Sequence, residues 1–169
     1  MRAAASIADK ALQENRSVGM TVNMARTAVL QPDRGSRQHL KVMQLLASVE
    51  ADGTAPLVET LIATVGRLRR GMTAVIITPS LDPSWVRPLA ALRTRGVACV
   101  VLTLDAAAYQ RAAHSVSPVA DAEGGMPPPV EVDEEGAKRA RALRHALAEY
   151  ELRSFAITPG RPLGEILAR

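Results

Sequence analysis

The residues that could do chemistry follow apolar segments that are predicted to be neighbouring strands. Carboxylates, hydroxyls and a guanidinium beyond such strands could bind a small ligand or act as acids and bases. In open α/β sheets, ligands bind outside the carboxyl ends of the strands. The candidate crest or partner-contact residues that follow the strands are Thr78, Ser80, Asp82, Asp105 and Arg161. Asp52 and Thr54 lie in a loop that could reach the same edge, because one helix joins that loop to the Thr73 strand.

Structural roles also explain several of these residues. "ITPS" and "ITPG" place Thr-Pro at the end of two predicted strands, where proline stops a central ladder. Asp82 can cap a helix whose first position is Pro83. Thr54 precedes Pro56 and Leu57, so its hydroxyl is predicted to be the N-cap of the next helix. Both interpretations of this edge therefore stay open.

Recognisable catalytic patterns are missing from the sequence. No Gly-rich phosphate loop joins a strand to a helix, and no G-x-S-x-G motif occurs. The three histidines are scattered, and Cys99 lies within a predicted strand, as a small core residue does. No Cys/His spacing is typical of zinc. We therefore predict a protein that is not an enzyme and binds no cofactor.

Length and composition favour one domain of 169 residues, 1–169, with an aliphatic core, since only 2% of residues are aromatic. No apolar run approaches the ~20 residues of a membrane span. The single cysteine suits a reducing compartment, so we expect a cytoplasmic protein. The net charge is +4, and there are basic stretches at 67–70 and 138–141. These stretches suggest nucleic-acid binding as one possible function. The scarcity of aromatic residues does not favour it.

Hydrophobic periodicity gives the architecture. The pattern predicts an N-terminal helix over 3–15, and the two short β-prone runs after it predict an antiparallel hairpin. Two amphipathic helices follow, and the second is expected to end at Gly71. Unbroken Val/Ile/Leu runs alternating with helices are typical of parallel strands buried on both faces. Pro88 predicts a kink or restart of one helix. Residues 113–135 are acidic and rich in Pro and Gly, which predicts a mobile loop. The predicted fold is a three-layer α/β sandwich, mostly parallel, with an antiparallel edge hairpin.

Three sequence blocks in order resemble a known family. They are "AASIADKALQENRSVGM", "VEADGTAPLVETL" and "AVIITPSLDPSWVRPLAALRTRGVACVVLTLD", and the similarity resumes at "YELRSFAITPG". The chain is similar here to the C-terminal half of the domain-of-unknown-function 58 family. Members of that family carry a von Willebrand factor A-like domain and are associated with MoxR-type AAA+ ATPases.

The resemblance implies a degenerate metal site. In metal-binding A domains an Asp-x-Ser-x-Ser motif on the first central strand, a later threonine and an aspartate hold a divalent ion. Thr54 matches that threonine, Pro79 stands where the aspartate is usual, and Asp82 follows three residues on. The first central strand and its motif would lie before Met1. A hard divalent ion needs about six oxygens, so we expect no metal, with Thr54 and Asp82 as remnants.

These observations lead to a function hypothesis. We expect a non-enzymatic protein-interaction module that works with a MoxR-type AAA+ ATPase in protein assembly or maturation. A sheet without its central strand has unpaired edges, so the chain is expected to be incomplete. It would then be a fragment of a longer product or a module completed by a partner. The alternatives are an enzyme or small-ligand binder with its site at the strand ends, and a weak nucleic-acid binder.

Overall fold

The computed structural model of the protein describes residues 1–50, 52–116 and 134–167. Within them the chain forms two compact units, Met1–Leu68 and Arg69–Arg169, where the composition favoured a single domain. The first contains a two-stranded antiparallel sheet and the second a three-stranded parallel sheet. The predicted α/β class, with parallel strands and an antiparallel hairpin, is confirmed.

The first unit is built around the predicted hairpin. Strands β1 and β2 pair antiparallel, with an irregularity in register between Val18 and Met20. Gly19 lies at this point, and a Cβ there would come within 2.9 Å of the Pro32 ring, so only glycine fits without a shift. The elements are α1 (Arg2–Gln13), β1 (Val18–Val22), β2 (Ala28–Asp33), α2 (Gly35–Ala47) and α3 (Leu57–Val65).

A buried glutamine joins α2 to the hairpin. The Gln38 side chain is fully buried, and its Nε2 donates to the carbonyl of Val18 at 2.6 Å and to that of Gln31 at 2.9 Å. One amide group thus satisfies a carbonyl on each strand. Buried polar groups are costly when unpaired, so Gln38 fixes how α2 packs on the hairpin.

The second unit is built on three parallel strands in the order β3-β4-β5. Thr78, Thr103 and Ala156 share one register position near the carboxyl ends, as predicted for the three apolar runs. The elements are β3 (Thr73–Thr78), a 3-10 turn (Pro83–Trp85), α4 (Val86–Thr94), β4 (Ala98–Leu104), α5 (Ala106–Val116), α6 (Glu134–Glu149), β5 (Arg153–Ile157) and α7 (Leu163–Leu167).

The core of this unit is mostly aliphatic, with one indole and the thiol of Cys99. Trp85 has no exposed surface, so its indole is packed entirely within this core. It ends the 3-10 turn, and α4 restarts at Val86, as the position of Pro88 led us to expect. Pro88 therefore lies in the first turn of α4, where backbone N–H groups have no intrahelical acceptor to lose.

Arg93, near the end of α4, fixes the turn between α6 and β5. Its guanidinium donates to the carbonyls of Tyr150 and Glu151 and to the Glu151 carboxylate at 3.3 Å. Glu151 has a positive φ of 51°. A non-glycine residue is strained there, so this guanidinium holds a turn that the local backbone does not favour.

Several element boundaries differ from the sequence prediction. Helix α3 was expected to end at Gly71, but it ends at Val65 with Gly66 as its C-cap. Gly71 instead forms a turn before β3, with φ of +83°, and its N–H donates to the Gly96 carbonyl. Both ends of the predicted 113–135 loop are helical, because α5 extends to Val116 and α6 begins at Glu134. Residues 117–133 lie outside the described residues.

Candidate functional site

The segment after β3 is organised by side chains that bond to the backbone two residues further on. The N–H of Ser80 donates to Thr78 Oγ1 at 3.0 Å, and the N–H of Asp82 donates to Ser80 Oγ at 3.4 Å. The N–H of Ser84 donates to Asp82 Oδ1 at 3.0 Å. Such i to i+2 bonds are typical of Ser, Thr and Asp in turns. Three of the predicted site residues thus shape the loop.

Asp82 is the most strongly bonded of these residues. Ser84 Oγ donates to Asp82 Oδ2 at 2.6 Å, in addition to the bond from its N–H. These two bonds, the hydroxyl first, lower the pKa of the Asp82 carboxyl below its ordinary value of 3.8. Asp82 is therefore an ionised N-cap of the 3-10 turn with Pro83 at the first position, which confirms the predicted cap.

The residues after β4 and β5 are also held locally. Asp105 Oδ1 accepts a hydrogen bond from the N–H of Ala108 at 2.9 Å, in the first turn of α5. The N–H of Asp105 donates to the Ile157 carbonyl at 3.2 Å, which ties the ends of the two strands together. Arg161 is exposed in the turn before α7. The ends of β3, β4 and β5 do share an edge of the sheet. Asp82 and Asp105, however, each cap the helical segment that directly follows them.

The Asp52–Pro56 segment binds the turn of the hairpin and does not cap α3 with a side chain. Asp52 Oδ1 accepts from the N–H of Ala25 at 3.0 Å, and Asn23 Nδ2 donates to the Ala55 carbonyl at 2.8 Å. A Cβ on Gly53 would lie 2.7 Å from the Asn23 carbonyl oxygen. Pro56 is the N-cap of α3, so the prediction that Thr54 caps this helix is wrong. Thr54 is exposed.

An open groove of about 740 Å³ lies beside the loop after β3. One wall is formed by Ser80, Asp82 and Pro83, and the other by the first turns of α6. Glu135 and Arg139 of that helix form an ion pair at 3.2 Å. The groove therefore presents both charge signs, which suits a small polar ligand.

The residues considered for metal or thiol chemistry belong to different elements of the structure. Thr54 belongs to the first unit and Asp82 to the second. Within residues 1–50, 52–116 and 134–167, no group of three or more His, Cys, Asp or Glu side chains could hold a metal ion. Cys99 is buried in β4, and that burial raises the pKa of its thiol, although Arg93 acts in the opposite direction. A raised thiol pKa makes a nucleophilic role less favourable.

Strand β3 has a free edge. It is hydrogen-bonded to β4, and no strand of the described residues pairs with its other edge. Its sequence, "TAVIIT", has no charge, proline or glycine. Val75 is 39% exposed, whereas Ile76 and Thr78, on the opposite face, are buried. Natural edge strands usually carry charges, prolines or bulges that prevent pairing with another chain.

The other edge strands of the two sheets carry such protection. Strand β2 has a proline and an aspartate, and β5 has Arg153. Strand β1 has Gly19 at its irregular pairing. β3 is thus the least protected of these edge strands. Its apolar sequence does not show this without the strand order, which places β3 at the edge of its sheet.

Comparison of the chain with protein-family models, with curated proteins and with solved structures finds no match. Among the helices of the described residues, none is both long and apolar enough to cross a membrane. The resemblance to the domain-of-unknown-function 58 family and to von Willebrand factor A-like domains therefore remains a prediction.

Proposed function

We propose that the protein is a non-enzymatic protein-interaction module that accepts a β-strand from another polypeptide along the free edge of β3. The uncharged, unprotected β3 edge is the observation that carries this proposal. Strand addition to a sheet edge is a common mode of recognition, in which backbone hydrogen bonds supply affinity and exposed side chains supply specificity.

The arrangement of the predicted site residues supports the same function. Thr78, Ser80 and Asp82 hold the loop after β3, and Asp105 caps α5. Groups used in this way stabilise the backbone, whereas a catalytic site needs a nucleophile and base aimed at a shared position. The β3 edge, by contrast, has backbone groups that no strand of the described residues pairs with.

The partner proposed from the resemblance is a MoxR-type AAA+ ATPase. The test is capture of a purified ATPase of this type by the immobilised full chain, with ATP and without nucleotide. We expect nucleotide-dependent association that V75K weakens, because a lysine on an edge strand opposes pairing. V29K is the matched control, since Val29 is 40% exposed on β2 and Val75 is 39% exposed on β3. The absence of nucleotide-dependent capture by the wild-type chain would count against this partner.

A small-ligand binder is the second candidate, favoured by the groove beside Asp82. Its walls carry Ser80, Asp82, Glu135 and Arg139 within about 740 Å³. This candidate predicts that a polar small molecule raises the melting temperature of the wild-type chain and fails to raise that of R139A. A library of polar metabolites that leaves the melting temperature unchanged would argue against it.

A further inference from the structure

Resting on the proposed function, we infer that the strand added to the β3 edge is β3 of a second copy of this chain, in antiparallel orientation. A two-fold axis brings the same surface of both copies together, so a strand must be complementary to its own reverse. "TAVIIT" read backwards remains an uncharged run with threonine at both ends. β3 therefore meets the first requirement for pairing with itself.

The side chains fit an antiparallel register centred on Ile76. In that register Ile76 lies opposite its own copy, Val75 opposite Ile77, and Ala74 opposite Thr78. Directly opposed residues share a face of the sheet. Val75 and Ile77 lie on the face where β3 is more exposed, and Ile76 and Thr78 lie on the buried face. Pairing would cover the exposed Val75 with an aliphatic neighbour, Ile77 of the second copy.

Charges beyond the strand favour a second copy in this orientation. Arg69 and Arg70 precede β3 and are exposed, and the exposed carboxylate of Asp82 follows it. An antiparallel pair therefore directs the basic end of each strand toward the acidic end of the other, twice per dimer. The like-charged ends would meet if the strands ran parallel.

The test is sedimentation equilibrium of the full chain over a range of concentrations, with circular dichroism to check folding. We expect the molar mass of the wild-type chain and of V29K to rise from 18.0 kDa toward twice that value with concentration. V75K should stay at 18.0 kDa. A wild-type chain that stays at 18.0 kDa throughout, or a folded V75K that associates as well as the wild type, would overturn the inference.

R69E tests the charge argument without altering the strand. Arg69 is exposed and lies outside β3. An exposed charge pair is worth up to about 1 kcal/mol, so we expect association about two- to fivefold weaker per lost pair, and added salt should weaken the wild-type dimer as well. If V75K fails to fold, the dimer affinity of R69E tests the pairing instead. A dimer whose affinity is unchanged both by R69E and by added salt contradicts the proposed pairing.

The outcomes separate this inference from the proposed function. A chain that remains monomeric yet captures the ATPase in a V75K-sensitive way uses the β3 edge for the ATPase. Self-pairing is then wrong and the proposed function stands. A chain that dimerises through β3 and captures no ATPase supports self-pairing and contradicts the proposed partner. A chain that does neither contradicts both.

Discussion

Ser84 donates two hydrogen bonds to the carboxylate of Asp82, from its hydroxyl at 2.6 Å and from its backbone N–H at 3.0 Å. This pair ends the series of side-chain bonds that begins at Thr78 and continues through Ser80. Proline follows Asp82 and fixes φ at the first position of the 3-10 turn. The residues that looked most able to do chemistry thus build the connection between β3 and α4.

The Asp82 cap predicts a pH-dependent contribution to stability. D82A should lower the free energy of unfolding by about 1 kcal/mol at neutral pH, the usual cost of losing an N-cap. Because the folded-state pKa of Asp82 lies below 3.8, the ionised carboxylate stabilises the fold above about pH 4. That stabilisation is lost as the pH falls below 3.8 through the lowered pKa. Urea unfolding between pH 7 and pH 2 measures it.

D82N is the control for the charge. Asparagine can still accept the backbone N–H bond but carries no charge. The difference in stability between the wild type and D82N should therefore shrink toward zero in acid. A difference that stays constant from pH 7 to pH 2 would contradict the role given to the ionised carboxylate.

Adjacent substitutions at Gly53 and Thr54 should differ in their effect on stability. G53A places a Cβ 2.7 Å from the Asn23 carbonyl oxygen, a backbone atom that cannot move alone. We expect a loss of about 1–3 kcal/mol, as for other overpacked sites. T54A should change stability by less than about 0.5 kcal/mol, as exposed substitutions do. Thermal unfolding of both variants measures these changes in stability. A loss of about 1 kcal/mol in T54A, the usual cost of losing an N-cap, would instead support the predicted role of Thr54 as the cap of α3.

The Arg93 bonds to the turn between α6 and β5 give a third prediction. R93A should lower the free energy of unfolding by about 1–2 kcal/mol, because the Tyr150 and Glu151 carbonyls lose a charged donor. E151G removes only an exposed ion pair and relieves a positive φ of 51°. E151G should therefore be neutral or stabilising by up to about 1 kcal/mol. Chemical denaturation measures both variants. A loss of stability in E151G as large as that in R93A would show that the ion pair contributes more than the bonds to the two carbonyls.

Gln38 gives a fourth prediction, with a control on the same helix. Q38L should lower the free energy of unfolding by about 1–3 kcal/mol, since the carbonyls of Val18 and Gln31 lose their donor. Gln44 is exposed on α2, so Q44L should change stability by less than about 0.5 kcal/mol. Guanidinium unfolding of the two variants measures the difference. Equal stabilities for Q38L and Q44L would mean that the two bonds add nothing.

The periodic parts of the fold could be predicted from the sequence, because their signals are local. The apolar runs of β3, β4 and β5, the hairpin and the cap at Asp82 each depend on neighbouring residue types. The end of α3 was placed at Gly71 because glycine often ends helices, but Gly66 came first. The two glycines are equivalent in the local pattern, and Gly71 is needed for the turn before β3.

The candidate site could be predicted only in part, because its bonding depends on distant residues. The role of the Asp52–Pro56 segment is set by Asn23 and Ala25, about 30 residues away in sequence. Nothing near Thr54 indicates that contact. Gln38 and Arg93 were likewise missed, since a polar residue in an amphipathic helix usually faces solvent. Their acceptors are carbonyls, which carry no side-chain signal in the sequence.

The free edge of β3 is the central claim, and amide hydrogen exchange of the full chain tests it most directly. At low protein concentration, we expect the β3 amides that point away from β4 to exchange rapidly, while the amides of the central strand β4 stay protected. At high concentration the same β3 amides should become protected and β4 should not change. Uniform protection of β3 that matches β4 at every concentration would contradict a free edge.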